Sequence, residues 1–157
     1  MTTRRATLPL CVQLPLMASV AIYAYEAIGS QHQEAVPHCQ IDDLVRYALS
    51  LGYTQEQVTV FQDRKPANTP LEKREGYQAL LQAIREGSVS VVLLLDIASI
   101  FAGGDEGALN KFMHLCMAKG IFVATPERVY DFSHLPLVHE FRLACTSTNS
   151  SVFLIVS

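Results

Sequence analysis

An α/β domain of three layers is predicted, with a mainly parallel central sheet of four to five strands and helices on both faces. Three observations carry this prediction. Short runs rich in Val, Ile and Leu recur at 20–25, 58–61, 89–95 and 121–124, without clean alternation of apolar and polar residues. That is the pattern of strands buried on both faces of a parallel sheet. Between these runs lie apolar stripes at i, i+3, i+4 and i+7 spacing, which mark amphipathic helices. Glycines fall just after the stripes, where helices stop.

The elements follow in order. Arg4-Arg5 and the mostly apolar stretch behind them imitate a secretory signal. Pro9, Gln13 and Pro15 interrupt that stretch, and its end is needed as the first strand, so residues 1–18 are predicted to be an N-terminal extension. After the first strand, Ile41, Leu44, Val45 and Ala48 form a helical stripe ended by Gly52. After the second, Thr69-Pro70-Leu71-Glu72 has capping-box spacing with proline at the first helical position, which predicts a helical turn there. Tyr77, Leu80, Leu81 and Ile84 then form a stripe closed by Gly87. After the third strand come Leu109, Phe112, Met113 and Cys116, with Asp105 as candidate N-cap and Gly120 as stop. Beyond the fourth strand, Leu137, Val138, Phe141 and Cys145 suit two helical turns. The Ser/Thr-rich run 146–151 breaks the pattern, because these side chains compete for backbone hydrogen bonds. Residues 152–156 are a short apolar end with the character of an extra strand. The predicted domain is 19–145, followed by the break and tail, 146–157.

Right-handed crossovers join the strands in such a fold. Ligands sit beyond the carboxyl ends of the strands. The loops 25–30, 62–69 and 96–102 therefore converge at one edge. Half of the 157 residues are apolar, 17% are charged, and the net charge is −3 with only 12 Lys plus Arg. Autonomous DNA binders usually present a basic stripe, and none is present, so such binding is expected to be weak. The four cysteines (Cys11, Cys39, Cys116, Cys145) and five histidines lack the spacing of a zinc site or a disulfide framework. Reduced thiols in a cytoplasmic protein are the expectation, with no metal, no cofactor and no stretch of about 20 apolar residues to span a membrane.

The loops carry a family resemblance. The segment Tyr23-Ala24-Tyr25-Glu26-Ala27-Ile28-Gly29-Ser30-Gln31 resembles the serine recombinase signature Tyr-x-Arg-Val-Ser-x-x-x-Gln, of the resolvase/invertase family. Ala98-Ser99-Ile100-Phe101-Ala102 resembles its acidic-or-serine residue followed by Arg-Leu-x-Arg. Asp63 opens a segment like Asp-x-x-x-Ser-Gly, and Arg74-Glu75-Gly76-Tyr77 is similar to Arg-x-Gly-Phe at a helix start. Gly120 to Pro126 and Val129-Tyr130-Asp131-Phe132 continue the likeness, which covers about Ser19 to Glu140. It implies a resolvase-like N-terminal catalytic domain.

The resemblance also implies DNA strand exchange through a phosphoserine intermediate, with arginines around the phosphate. Tyr23, Gln31, Asp63 and Arg74 match the pattern. The chemistry does not. Ala27 stands at the nucleophile, Tyr25, Ser99 and Ala102 stand at arginines, Ala67 and Asn68 replace Ser-Gly, and Ala98 takes the acidic-or-serine place. A methyl group cannot attack phosphorus. Neutral side chains cannot offset charge in a phosphoryl transition state, where one arginine is worth about 10³–10⁵ in rate. Glu26 adds negative charge where phosphate would lie. Arg74 is either a phosphate contact or the partner of Asp63 or of an acid at the helix start.

The expectation is a degenerate site in a recombinase-like domain that acts by protein interaction, as a homo-oligomer or with an active recombinase, or that is a mobile-element remnant. The alternative is an active site-specific recombinase with a complementing subunit or a relocated nucleophile, Ser30 or Ser99. A third reading, a small-molecule domain using the vacated cleft, has the fold alone behind it. The family's long helix after the last strand and its DNA-binding domain have no counterpart in the sequence pattern.

Overall fold

In the computed structural model the described residues are 13–28, 37–66, 69–101 and 106–145, with the backbone alone described at 27, 28, 37–39 and 99. The chain runs β1 (Val20–Ile28), α1 (Pro37–Ser50), β2 (Val58–Pro66), α2 (Glu75–Arg85), β3 (Val91–Leu93), α3 (Ile97–Phe101), α4 (Glu106–Lys119), β4 (Phe122–Ala124), β5 (Val129–Asp131) and α5 (Leu135–Cys145). The five strands form one sheet in the order β2-β1-β3-β4-β5. The β1–β2, β1–β3 and β3–β4 pairs are parallel, and β4–β5 is antiparallel. This is the predicted three-layer α/β architecture.

Parallel neighbours need a crossover, and the strand order decides where each helix lies. The chain moves from β1 to β2 on one side, then passes back over β1 to reach β3. Helix α1 therefore covers one face, where Leu44 and Ala48 pack on Val20, Ile22, Val91 and Leu93. Helices α2, α4 and α5 cover the other, where Leu80, Ile84, Phe112, Met113 and Phe141 pack on Ala21, Tyr23 and Val92. Such reversal of direction opens a crevice between the carboxyl ends of β1 and β3.

Gly52, Gly87 and Gly120 all hold positive φ, at 104°, 78° and 64°, so each predicted stop is a left-handed helix terminus that glycine adopts without strain. Strand β1 runs on to Ile28 and β3 is only Val91–Leu93, and four further elements differ from expectation. Strand β2 runs for nine residues, into the stretch read as a loop, because backbone pairing with β1 continues through polar Gln62–Pro66 (residues 62–66) without any apolar signal. Residues 97–101, also read as loop, form the single helical turn α3, with the Asp96 carboxylate accepting the Ala98 amide at 3.1 Å. Strand β5 is a three-residue return from β4 through a turn in which Thr125 Oγ1 accepts the amides of Glu127 and Arg128. Helix α5 has three turns rather than two, with Pro136 in its first turn, where the missing N–H is not needed.

Of the predicted N-terminal extension, residues 13–18 are described. The carbonyl of Pro15 accepts the Tyr53 hydroxyl at 2.7 Å, and those of Leu16 and Ala18 accept Gln57 Nε2 at 2.8 and 2.9 Å. The tail 146–157 lies outside the described residues, as does the candidate cap Asp105. Among the described residues no helix is long and apolar enough to cross a membrane.

Candidate functional site

Of the residues that match the recombinase pattern, Tyr23, Asp63 and Arg74 come together at the carboxyl edge of the sheet. Asp63 sits in β2 beside Tyr25 of β1 and is 4% exposed. Its Oδ2 accepts the Tyr23 hydroxyl at 2.7 Å and the Tyr77 amide at 2.8 Å, and its Oδ1 accepts the Gly76 amide at 2.7 Å. Gly76 and Tyr77 lie in the first turn of α2, whose amides have no partner within the helix. Arg74 holds the cap position and offers no side-chain acceptor. A strand carboxylate therefore caps the helix from outside, and its charge opposes the positive end of the helix dipole.

The expected capping box does not form. The Thr69 hydroxyl donates instead to the Pro66 carbonyl, and Leu71–Lys73 is a 3-10 turn capped by Pro70 without a side-chain bond. The helix proper starts at Glu75, because Asp63 supplies a better acceptor than Thr69.

Gly76 lets this contact close. A Cβ there would lie 2.3 Å from the Gln62 carbonyl oxygen, so only a residue without a side chain fits the helix against β2. Burial and then the bond to Asp63 push the Tyr23 phenol far above its ordinary range, with Arg74 opposing. Tyr23 is thus a fixed proton donor. Burial likewise raises the Tyr77 phenol and the Cys116 thiol, and pushes the Cys145 thiol up to about 12. These groups are not poised as nucleophiles.

Arg74 is 2% exposed. Its Nη1 donates to the Ile100 carbonyl of α3 at 2.7 Å and its Nε to the Thr69 carbonyl at 3.1 Å. The guanidinium carbon lies 3.8 Å from the centre of the Tyr25 ring, a cation–π stack. The Tyr25 hydroxyl donates to the Pro66 carbonyl at 3.0 Å, which holds the ring in place. Of the two roles expected for Arg74, pairing with Asp63 or a helix-start acid is not observed. Its charge is satisfied by carbonyl oxygens and an aromatic face.

Of the positions that lack the family's chemistry, three besides Tyr25 fall on described elements. Ala27 is at the end of β1, opposite Lys65, with its side chain undescribed. Ala98 is buried on α3, and Ser99 is placed there by its backbone alone. Ser30, Gln31, Ala67, Asn68 and Ala102 lie outside the described residues. Between β1 and α3 a cavity of about 300 Å³ is lined by Tyr23, Gln40, Leu95, Asp96 and Ile100. Sequence reasoning missed the ion pair between Arg64 Nε and Glu26 Oε1, at 2.9 Å. Parallel register sets these residues side by side across β1 and β2. No short-range sequence signal encodes that.

No family model matches the chain, and no curated protein matches it as a relative. Solved structures do. The N-terminal catalytic domain of TP901-1 integrase superposes with a TM-score of 0.55 at 17% identity, over 85% of this chain and 98% of that one. The C-terminal catalytic domain of ISC1926 TnpA, an IS607-like serine recombinase, superposes with a TM-score of 0.52 at 23% identity, over 67% of this chain and 69% of that one. The chain therefore has the fold of serine recombinase catalytic domains.

Proposed function

We propose that this recombinase-fold domain performs no DNA strand transfer and acts through contacts with other proteins. The observation that carries the reading is the burial of Arg74, the arginine that the sequence keeps. Its Nε and Nη1 donate to the Thr69 and Ile100 carbonyls and its plane faces Tyr25. A transition-state arginine must instead aim free N–H groups at the phosphoryl oxygens. Tyr25 stands at a second arginine position and serves as the stacking partner of the first. An arginine there would set two guanidinium groups face to face, an arrangement suited to a bound phosphate rather than to an empty site.

Ala27 removes the nucleophile, and Ser99 and Ala102 remove two further charges. Asp96 lines the crevice, and a carboxylate there opposes phosphate. Tyr23, Asp63, Arg74 and Gly76 instead hold α2 against the sheet, which accounts for their match to the family pattern without catalysis. The partner is then a second copy of the chain or an active serine recombinase whose assembly the domain modulates. The unit that acts is residues 19–145, in the cytoplasm, where unpaired Cys116 and Cys145 persist as thiols.

The test is denaturing capture of covalent protein–DNA adducts on supercoiled and duplex DNA. No adduct on this chain is expected, with or without an active recombinase. An adduct on Ser30, Ser99 or any other residue overturns the reading. Light scattering of the chain mixed with an active recombinase checks the partner, and the modulator role falls if no mixed species forms.

A further inference from the structure

Beneath α1, on the face of the sheet opposite Arg74, one carboxylate has incomplete hydrogen bonding. Glu26 is 9% exposed. Its Oε1 accepts from Arg64, but its Oε2 is closed off from solvent and receives no donor from the described residues. A buried charged oxygen without a donor keeps the full desolvation penalty of that group, so such an atom calls for a ligand or an ordered water.

A cavity of about 80 Å³ lies beside it, lined also by Ala24, Gln40, Ile41, Gln62 and the Arg64 that pairs with Glu26. Asp63 borders the same space, but its oxygens are engaged by Tyr23, Gly76 and Tyr77. Glu26 is the acceptor left over. The Gln40 amide nitrogen donates to the Tyr25 carbonyl at 3.4 Å. The space therefore offers an acceptor and no unpaired cation among the described residues. A single water needs only about 10–15 Å³ of such volume, so there is room for a small head group but not for a nucleotide.

We propose that this cavity receives a cationic nitrogen, an ammonium or guanidinium group, with Glu26 as its counter-ion. The inference rests on the reading of the domain as a protein-contact module. Arg64 is the internal competitor. Its side chain is 57% exposed, so it can swing into solvent and release Glu26 to the incoming group. A guanidinium suits the site because its fork meets both carboxylate oxygens at once. The group is either a Lys or Arg side chain on a partner or a free small amine.

The ¹⁵N-labelled full chain is titrated with methylguanidinium and methylammonium, with N-methylurea as neutral isostere and sodium chloride at matched ionic strength. Saturable shifts are expected at the amides of residues 24, 26, 40, 41 and 62 with the cations only. Glu26→Gln should weaken binding at least about tenfold, whereas Arg64→Ala should tighten it several-fold by removing the competitor. A structural role for the pair would not give these opposite signs.

Equal shifts with the neutral isostere or with salt alone overturn the proposal, as does Glu26→Gln binding like the wild type or Arg64→Ala binding more weakly. If Glu26→Gln does not fold, the exposed Arg64→Ala variant decides alone. Blocked Lys and Arg amides that bind more tightly than the free amines assign the group to a partner side chain, and equal binding assigns it to a free amine. A covalent DNA adduct would sink the protein-contact reading and leave these titrations unchanged. Absence of cation binding without any adduct sinks this inference alone.

Discussion

The two sides of the carboxyl edge differ in what their residues are for. Around Asp63, every group named from the family pattern is buried and has partners: a phenol, two helix amides, a glycine without room for a methyl, and an arginine held by carbonyls. At the end of β1 and on α3, Ala27, Ala98 and Ser99 stand where the family resemblance expects reacting or charge-bearing groups. On the proposed reading, residues that build the fold are kept and those that serve only the reaction are not. On that reading a motif persists for structural reasons without its chemistry. A match at Tyr23 or Arg74 is evidence of fold before it is evidence of activity.

Substitutions should separate the two regions by size of effect. Gly76→Ala should be the most damaging, costing about 3–4 kcal/mol in denaturant unfolding, because its methyl meets the rigid Gln62 carbonyl at 2.3 Å. Asp63→Ala should cost about 3 kcal/mol, since two helix amides and the Tyr23 hydroxyl lose a charged acceptor together. Tyr25→Arg should cost about 1–2 kcal/mol by setting a second cation against Arg74. Added sulfate or phosphate should recover part of that loss in thermal unfolding, which apolar overpacking would not allow. Gln40→Ala, at the crevice, should change stability by less than about 0.5 kcal/mol, because its bond to the Tyr25 carbonyl is long at 3.4 Å. A loss there as large as at Asp63 would erase the distinction between the regions.

How much was legible in the sequence depends on the range of the interaction. Helical stripes such as Leu44, Ala48 and Leu80, Ile84 reveal their elements because each reports a local period of 3.6 residues, and the buried strands report themselves by apolar runs. Strand β5 and helix α3 are three and five residues long, too short to show a period. The polar half of β2 is a strand only because β1 pairs with it. At the site, the motif named Tyr23, Asp63 and Arg74 but not what they do. The Tyr23–Asp63 bond spans 40 positions and the Arg74–Ile100 bond spans 26, so their purpose appears only with the tertiary register. The same holds for the Glu26–Arg64 pair, which adjacency of β1 and β2 creates.

The central claim is that Arg74 is committed to the interior of the protein and not to phosphate. Its Nε–H resonance tests this most directly, observed in the ¹⁵N-labelled chain before and after duplex DNA or inorganic phosphate is added. The hydrogen bond to Thr69 and the deep burial predict a sharp, slowly exchanging Nε–H signal that neither addition moves. A signal that exchanges rapidly with water, or that shifts saturably on adding DNA or phosphate, would contradict the account.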